Sequence, residues 1–315
     1  MGSYLLKRSA TALLVLITLS VLVFSLVRWI PGDPVASFVD PNNPDPEQIA
    51  AIRHSLGLDR SWLAQYGSWI SEAVRGDFGH SITQPYSVGE QIRSRLPVSV
   101  ELGVLATLFG VLLGVPAGVA SAVWRGRLPD LVFRIGSFAF LAIPAFVFGT
   151  FVLLVNSQTL RLRLIGYVPF SQDPLANLQR MVVPSLLLGL GLAALVCRYV
   201  RGTLLDTLGQ DYIRTGRSKG ASPARLVIRH ALRNALIPVT TIVGVQLAAL
   251  VGGTVVIENV FALPGMGNLL ITAITTTDYP TIQASILVIG ALYVAINLVV
   301  DLLYPLVDPR IRVVR

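Results

Sequence analysis

A chain of 315 residues with 53% hydrophobic and only 13% charged side chains carries about half the charge of a soluble domain, near 25%, and its mean hydropathy of +0.69 is that of a membrane protein. The formal net charge of +8 would suggest nucleic acid in a soluble protein. Here the basic residues cluster at the ends of apolar runs, the orientation signal of membrane proteins, so no nucleic-acid partner is expected. A single cysteine, Cys197, and three scattered histidines, His54, His80 and His230, exclude an internal disulfide and offer no metal-ligand spacing.

In chain order, "MGSYLLKRSA" has the Lys-Arg start of a signal peptide, but the apolar stretch behind it is longer than the 7–15 residues of an h-region and no small-x-small cleavage site follows. It reads as a retained first span over 9–30. Five further spans are expected at 98–123, 131–156, 181–200, 236–257 and 282–306, each near the ~20 apolar residues that cross a bilayer. The fold class is therefore an all-α membrane protein with six transmembrane helices. Gly, Ala, Ser and Thr recur in "GVLLGVPAGVASA" (110–122) and "LLLGLGLAAL" (186–195), as in helices that approach closely in lipid. Pro116, Pro144 and Pro184 are expected to bend their helices, which neighbours can tolerate.

The segment 31–97 between the first two spans is long and rich in acidic residues. A Pro/Asn turn precedes an amphipathic helix with Ile49, Ile52 and Leu56 on one face. A second helix over 61–74 carries Trp62, Tyr66 and Trp69, side chains suited to the membrane interface. Lys7 and Arg8, Arg125 and Arg127, Arg198 and Arg201, and Arg310, Arg312 and Arg315 fall on one side of a six-span chain. That side should be the cytoplasm, with both termini there. Arg161, Arg163 and Arg180 lie on the other side, against the trend. The expected organisation is a first span at 1–30, an extracytoplasmic helical segment at 31–97, a five-helix core at 98–307 with a cytoplasmic hairpin at about 201–235, and a tail at 308–315.

The hairpin holds the densest basic run, "DYIRTGRSKGASPARLVIRHALRNALIP" (211–238). Gly220 suits a left-handed helix terminus, Ser222 an N-cap and Pro223 the first helical position. Arg225, Arg229 and Arg233 recur every four residues along one face. A rigid helix-turn-helix that transmits force fits this pattern; so does a basic loop resting on anionic head groups. Within spans, Gln246 is a polar candidate for a translocation path. Glu101 and Asp301 read as caps or anchors near span ends, and Glu258 opens an outer hairpin that lines or seals a mouth.

These residues carry a resemblance. The hairpin is similar to the cytoplasmic coupling motif of ABC importer permeases, E-A-A, three residues, Gly, nine residues, I-x-L-P. Gly220 and Leu232 match its general form, while Arg214, Thr215 and Gly216 stand at the E-A-A position. The match to the peptide and nickel branch is closer: "DYIRTGRSKG" and "RHALRNALIP" resemble that branch nearly throughout, with Gly216 for the usual Ala. "IPGDP", "GDFGHS", "IRSRLPVSVEL", "ENVFALPGMGNLL", "DYP" and "DLLYPLVDPRIR" follow in order, and the long segment after the first span resembles the B-type subunit.

The resemblance implies a MetI-like type I importer permease in the cell membrane, paired with a second, C-type permease. Each permease would insert a short helix into one of two ATPase subunits, and an extracytoplasmic binding protein would deliver short peptides. Nickel chelates, glutathione or haem are alternative cargoes. Coupling to the ATPases would rest on Arg214, Thr215, Gly216, Lys219, Gly220, Ala221, Ser222, Pro223, Arg225 and His230; Gln246 and Glu258 would be path candidates. "GRSKG" (216–220) lacks the phosphate-cradling spacing G-x-x-x-x-G-K-[ST]. ATP and Mg are thus expected on the partners, and this chain is expected to be no enzyme and to hold no cofactor. A secondary transporter or intramembrane enzyme would need mid-span ionisable groups, paired aspartates or a Ser-His pair, which the sequence does not offer.

Overall fold

The computed structural model of the chain describes residues 2–29 and 59–307. The amphipathic pattern around Ile49, Ile52 and Leu56 and the basic tail after 307 lie outside the described residues. In order, the helices are α1 (Gly2–Trp29), α2 (Trp62–Val74), α3 (Val88–Val123), α4 (Leu128–Ala142), α5 (Ala145–Gln158), α6 (Pro174–Leu208), α7 (Asp211–Ser218), α8 (Pro223–Arg225), α9 (Leu232–Val260), α10 (Met266–Thr275) and α11 (Tyr279–Val307). No β-strand occurs among the described residues, where the one isolated bridge joins His80 to Ser87.

Four helices are long and apolar enough to cross a membrane, and six if each bent pair is one span. The third expected span is therefore not one rod. α4 and α5 meet at 98° because a proline disfavours helical backbone in the residue before it. Ile143 accordingly turns extended at ψ 123°, and Pro144 follows at ψ 139°. Pro116 and Pro184, by contrast, lie inside the uninterrupted helices α3 and α6.

α3, α6 and α9 form the centre. Gly110, Gly114 and Gly118 recur every four residues and face Leu192, Val196 and Val200 of α6, which share that spacing. A Cβ on Gly114 would lie 2.7 Å from the Ala193 carbonyl oxygen, and one on Gly118 2.7 Å from that of Cys197. The seam works because these positions have no side chain, letting two backbones touch where lipid supplies no hydrophobic drive. One buried cluster joins Leu102, Ala106, Met181, Leu188, Ile257 and Phe261. A second, towards the hairpin end, joins Ala122, Val196, Val200, Leu204, Ala231 and Ala235.

The remaining elements wrap this centre. α1 runs beside α11, and Arg8 pairs with Asp301 at 3.4 Å, so Asp301 does anchor a span end. α2 docks on α1 through its aromatic side chains: Trp62, Tyr66 and Trp69 surround Phe24 with ring centroids 5.4–5.5 Å away, and the Tyr66 hydroxyl bonds Ser20 Oγ at 2.8 Å. At the start of α11, Asp278 gathers the loop before α3. Its carboxylate accepts from the Ser81 hydroxyl, from the Ile82 amide at 3.3 Å and from the Thr281 hydroxyl at 2.8 Å.

Candidate functional site

The basic hairpin is built from ordinary terminating chemistry. α7 carries Asp211 in its first turn and Arg217 in its last, an order that complements the helix dipole. Behind Ser218 the chain closes in a Schellman turn: the Gly220 amide donates to the Arg217 carbonyl at 3.0 Å and the Ala221 amide to that of Gly216 at 3.2 Å. Gly220 takes φ +81°, where a side chain costs strain even though a Cβ there would meet nothing within 4 Å. Ser222 then caps the next helix, accepting from the Arg225 amide at 3.4 Å, with Pro223 at the first helical position.

The second arm is not a separate helix. After α8, residues Leu226–Ala231 form a π-helical turn that runs straight into α9. Leu226, Ala231, Ala235 and Val239 are all buried, at spacings of five, four and four. The wide i→i+5 turn absorbs the extra residue and keeps this apolar stripe on the core side. Periodicity alone, reading four-residue steps from Arg225 to Arg233, does not reveal that turn. Further along, the chain bends by 44° between Leu236 and Val239.

The hairpin is held against the bundle while its charges stay out. Ile213 is 1% exposed, the Tyr212 hydroxyl accepts from Asn234 Nδ2 at 3.0 Å, and Gly216 leaves room for Leu226, whose Cδ2 would lie 2.9 Å from a Cβ there. The Thr215 hydroxyl folds back to the Asp211 carbonyl at 3.1 Å. Arg214, Arg217, Lys219, Arg225, Arg229 and Arg233 are exposed. Arg214 meets Asp211 at 3.6 Å with both side chains in solvent, an arrangement of little energetic weight. The side chain of His230 lies outside those described.

A polar clamp missed in the sequence stands directly above. Asp130 is buried at the start of α4. Its Oδ1 accepts from Arg201 Nε at 2.8 Å and from the Ser121 hydroxyl at 2.6 Å; its Oδ2 accepts from Arg201 Nη2 and from the Gly126 amide, both at 3.0 Å. The clamp ties the α3–α4 turn to α6 two turns before the hairpin. A signal existed: Asp130 is the lone carboxylate between Glu101 and Asp173, set among basic residues.

The two path candidates part company. Gln246 lines a cavity of about 290 Å³ beside the α4–α5 break, with Phe140, Pro144, Phe148, Gly191 and Gly253 around it. Glu258 is fully buried. It accepts from the Ser99 hydroxyl at 2.6 Å and from the amides of Gly267 and Asn268 at 2.8 and 3.0 Å, while the Met266 amide donates to Ser99 at 2.8 Å. In this conformation Glu258 caps the first turn of α10 and does not line the cavity at Gln246. Glu101 accepts from the Tyr167 hydroxyl at 2.8 Å. Burial, then the neighbouring Glu101 carboxylate, push the Tyr167 phenol up to about 12.

This architecture has known relatives. The family of binding-protein-dependent transport system inner membrane components matches residues 114–313, and the N-terminal region of such membrane components matches 1–103. The chain belongs to this family. The permease is 39% identical over 312 residues to the glutathione transport system permease protein GsiC of Shigella flexneri serotype 5b (strain 8401), spanning 99% of both chains. It has the same identity and coverage to GsiC of Escherichia coli (strain K12), and 38% to that of Salmonella typhi. Two crystal forms of the MetNI methionine ABC transporter in inward facing conformations share the fold at TM-scores of 0.53 and 0.54. Their identities are 19% and 22%, covering 69% of the permease and 96% of the matched chain. The resemblance to ABC importer permeases thus extends over the whole chain, and the protein is a multi-pass membrane permease.

Proposed function

We propose that this permease is the B-type translocating half of an ATP-driven importer of short peptides, worked by partner ATPases through the 211–238 hairpin. The observation that carries the reading is mechanical. A capped helix-turn-helix with an exposed basic face is rooted by Ile213, Leu226 and the Tyr212–Asn234 bond, and its second arm is continuous with α9. A push on it is delivered to the helix that carries Gln246, and through α6 to the Asp130–Arg201 clamp. Arg214, Thr215, Gly216, Lys219, Ala221, Ser222, Pro223, Arg225 and His230 form the docking surface, with Gly220 as its hinge point. A C-type permease completes the pathway, a binding protein delivers cargo, and ATP and Mg reside on the ATPases. Both termini and the hairpin face the cytoplasm.

A second cargo has a specific observation behind it: the whole-chain identity to permeases named for glutathione, itself a tripeptide. Uptake of labelled trialanine and of glutathione by proteoliposomes holding the complete importer tests both. Transport should require ATP and fail in Gly220→Val while Gly220→Asn, which tolerates the left-handed backbone, retains it. Unaltered transport by Gly220→Val removes the hinge from the mechanism.

A further inference from the structure

Two of the three arginines that break the orientation trend, Arg163 and Arg180, converge on one place. At the end of the bundle opposite the hairpin, the last turn of α5, the loop behind it and the start of α6 enclose a cavity of about 440 Å³ whose lining includes Arg163, Arg180, Asn156 and Ser157 and, among the described residues, no acidic one. The loop is held rigid. Asn156 grips both backbone groups of Leu162 at 2.9 and 3.0 Å, Leu164 is buried, the Gly166 amide bonds the Phe261 carbonyl at 3.0 Å, and Asn177 holds the Val168 carbonyl at 2.9 Å. These bonds consume the Asn156 amide but leave the guanidiniums available. Arg180 makes one long contact to the Tyr167 carbonyl, 3.4 Å, and Arg163 has no ion pair among the described residues. Among the described residues, Asp173 caps α6 through the amides of Leu175 and Ala176, and Glu101 holds Tyr167.

We infer that this cavity is an oxyanion site that takes the phosphate of an anionic phospholipid. Depth supports it. Arg180 and Arg198 bracket the apolar stretch of α6 and stand eighteen residues apart, about 27 Å along a helix, close to the ~30 Å of a hydrocarbon core. Arg180 is thereby at head-group level. The rim decides between a lipid and a soluble anion. Leu162 and Ile165 in the cavity's lining are both more than half exposed, an apolar border that acyl chains cover and that a hydrated peptide carboxylate would have to cross. The planar forks of two arginines match phosphate oxygens. Arginines placed against the orientation rule are then retained because they hold a lipid on the outer leaflet. The inference does not depend on which cargo the importer carries.

The test is native mass spectrometry of the full-length protein, extracted with its partners and exchanged into phosphatidylglycerol and phosphatidylcholine of matched chains. The wild type should keep phosphatidylglycerol, about one per chain, through a delipidating wash. Arg163→Gln/Arg180→Gln should lower the ratio of retained phosphatidylglycerol to phosphatidylcholine by roughly tenfold or more, and Arg163→Lys/Arg180→Lys should keep the preference. Should the double Gln variant fail to assemble, Arg163→Gln alone, on an exposed loop, is read the same way. An unchanged ratio in the Gln variant, or equal loss of both lipids, overturns the site. Displacement of retained phosphatidylglycerol by free trialanine, but not by its C-terminal amide, overturns the lipid and gives the cavity to a cargo carboxylate.

Discussion

Asp130 and Arg201, seventy-one residues apart in sequence, meet in a two-pronged contact, Nε to Oδ1 at 2.8 Å and Nη2 to Oδ2 at 3.0 Å. The pair stands where the α3–α4 turn crosses α6, between the glycine seam and the hairpin. Removing Asp130 leaves the partly buried Arg201 guanidinium without its fork of charged hydrogen bonds, a loss of about 1.5–3 kcal/mol. Asp130→Ala should therefore lower the melting temperature of the purified protein markedly. Arg201→Lys, which keeps the charge but loses the fork, should fall between that variant and the wild type. Equal stability of all three would show the clamp to be ornamental.

The glycine seam makes a sharper steric statement. A Cβ at Gly118 would press on the Cys197 carbonyl, and one at Gly114 on that of Ala193; backbone oxygens cannot swing away as a side-chain end can. Gly114→Ala and Gly118→Ala should each lower stability by about 1–3 kcal/mol, the range for overpacking. Gly103→Ala, on the same helix where a Cβ meets nothing within 4 Å, should be neutral. Thermal melts in detergent measure all three.

Glu258 holds α10 by its first amides. Truncation to Ala strands the Ser99 hydroxyl and the Gly267 and Asn268 amides in a buried place, at about 1–3 kcal/mol for each group left unpaired. Glu258→Ala should be among the least stable single variants of the chain. Gly265→Ala should resemble it, because a Cβ there would collide with the Glu258 carboxylate itself. A Glu258→Ala protein as stable as the wild type, but altered in cargo preference, would return this residue to the translocation path.

Tyr167 supplies a pH signature. Its phenol is raised from the ordinary 10.0 to about 12, so the folded state favours the protonated form. That contribution is fully present below pH 10 and is lost as pH climbs from about 10 to about 12. The difference in melting temperature between wild type and Tyr167→Phe should hold steady up to pH 9 and shrink above pH 10. A difference that grows through that range would contradict the assigned environment.

How far the sequence reveals these features depends on their range. Gly220, Ser222 and Pro223 announce a helix-turn-helix because capping is decided by residues within one turn, and the structure has those caps. The seam of Gly110, Gly114 and Gly118 is visible as small residues at helical spacing. The π turn at 226–231 is hidden, because nothing local marks it; it exists so that Leu226 and Ala231 can share a face buried by α6. Pro144 signals a bend, but 98° is set by how α4 and α5 pack on α6 and α9. Asp130 with Arg201 and Glu258 with Ser99 each join segments far apart in sequence, and no spacing rule brings such residues together.

On the proposed function, the hairpin is what the ATPases hold. The most direct measurement places a cysteine at Lys219, on the exposed turn, and asks what a short thiol-reactive cross-linker joins it to in the assembled importer; the native Cys197 is buried and should not compete. Lys219→Cys should cross-link to an ATPase subunit in a yield that changes when ATP is trapped. A cysteine there that labels with membrane-impermeant reagents from outside intact cells, or that joins no nucleotide-binding subunit, contradicts it.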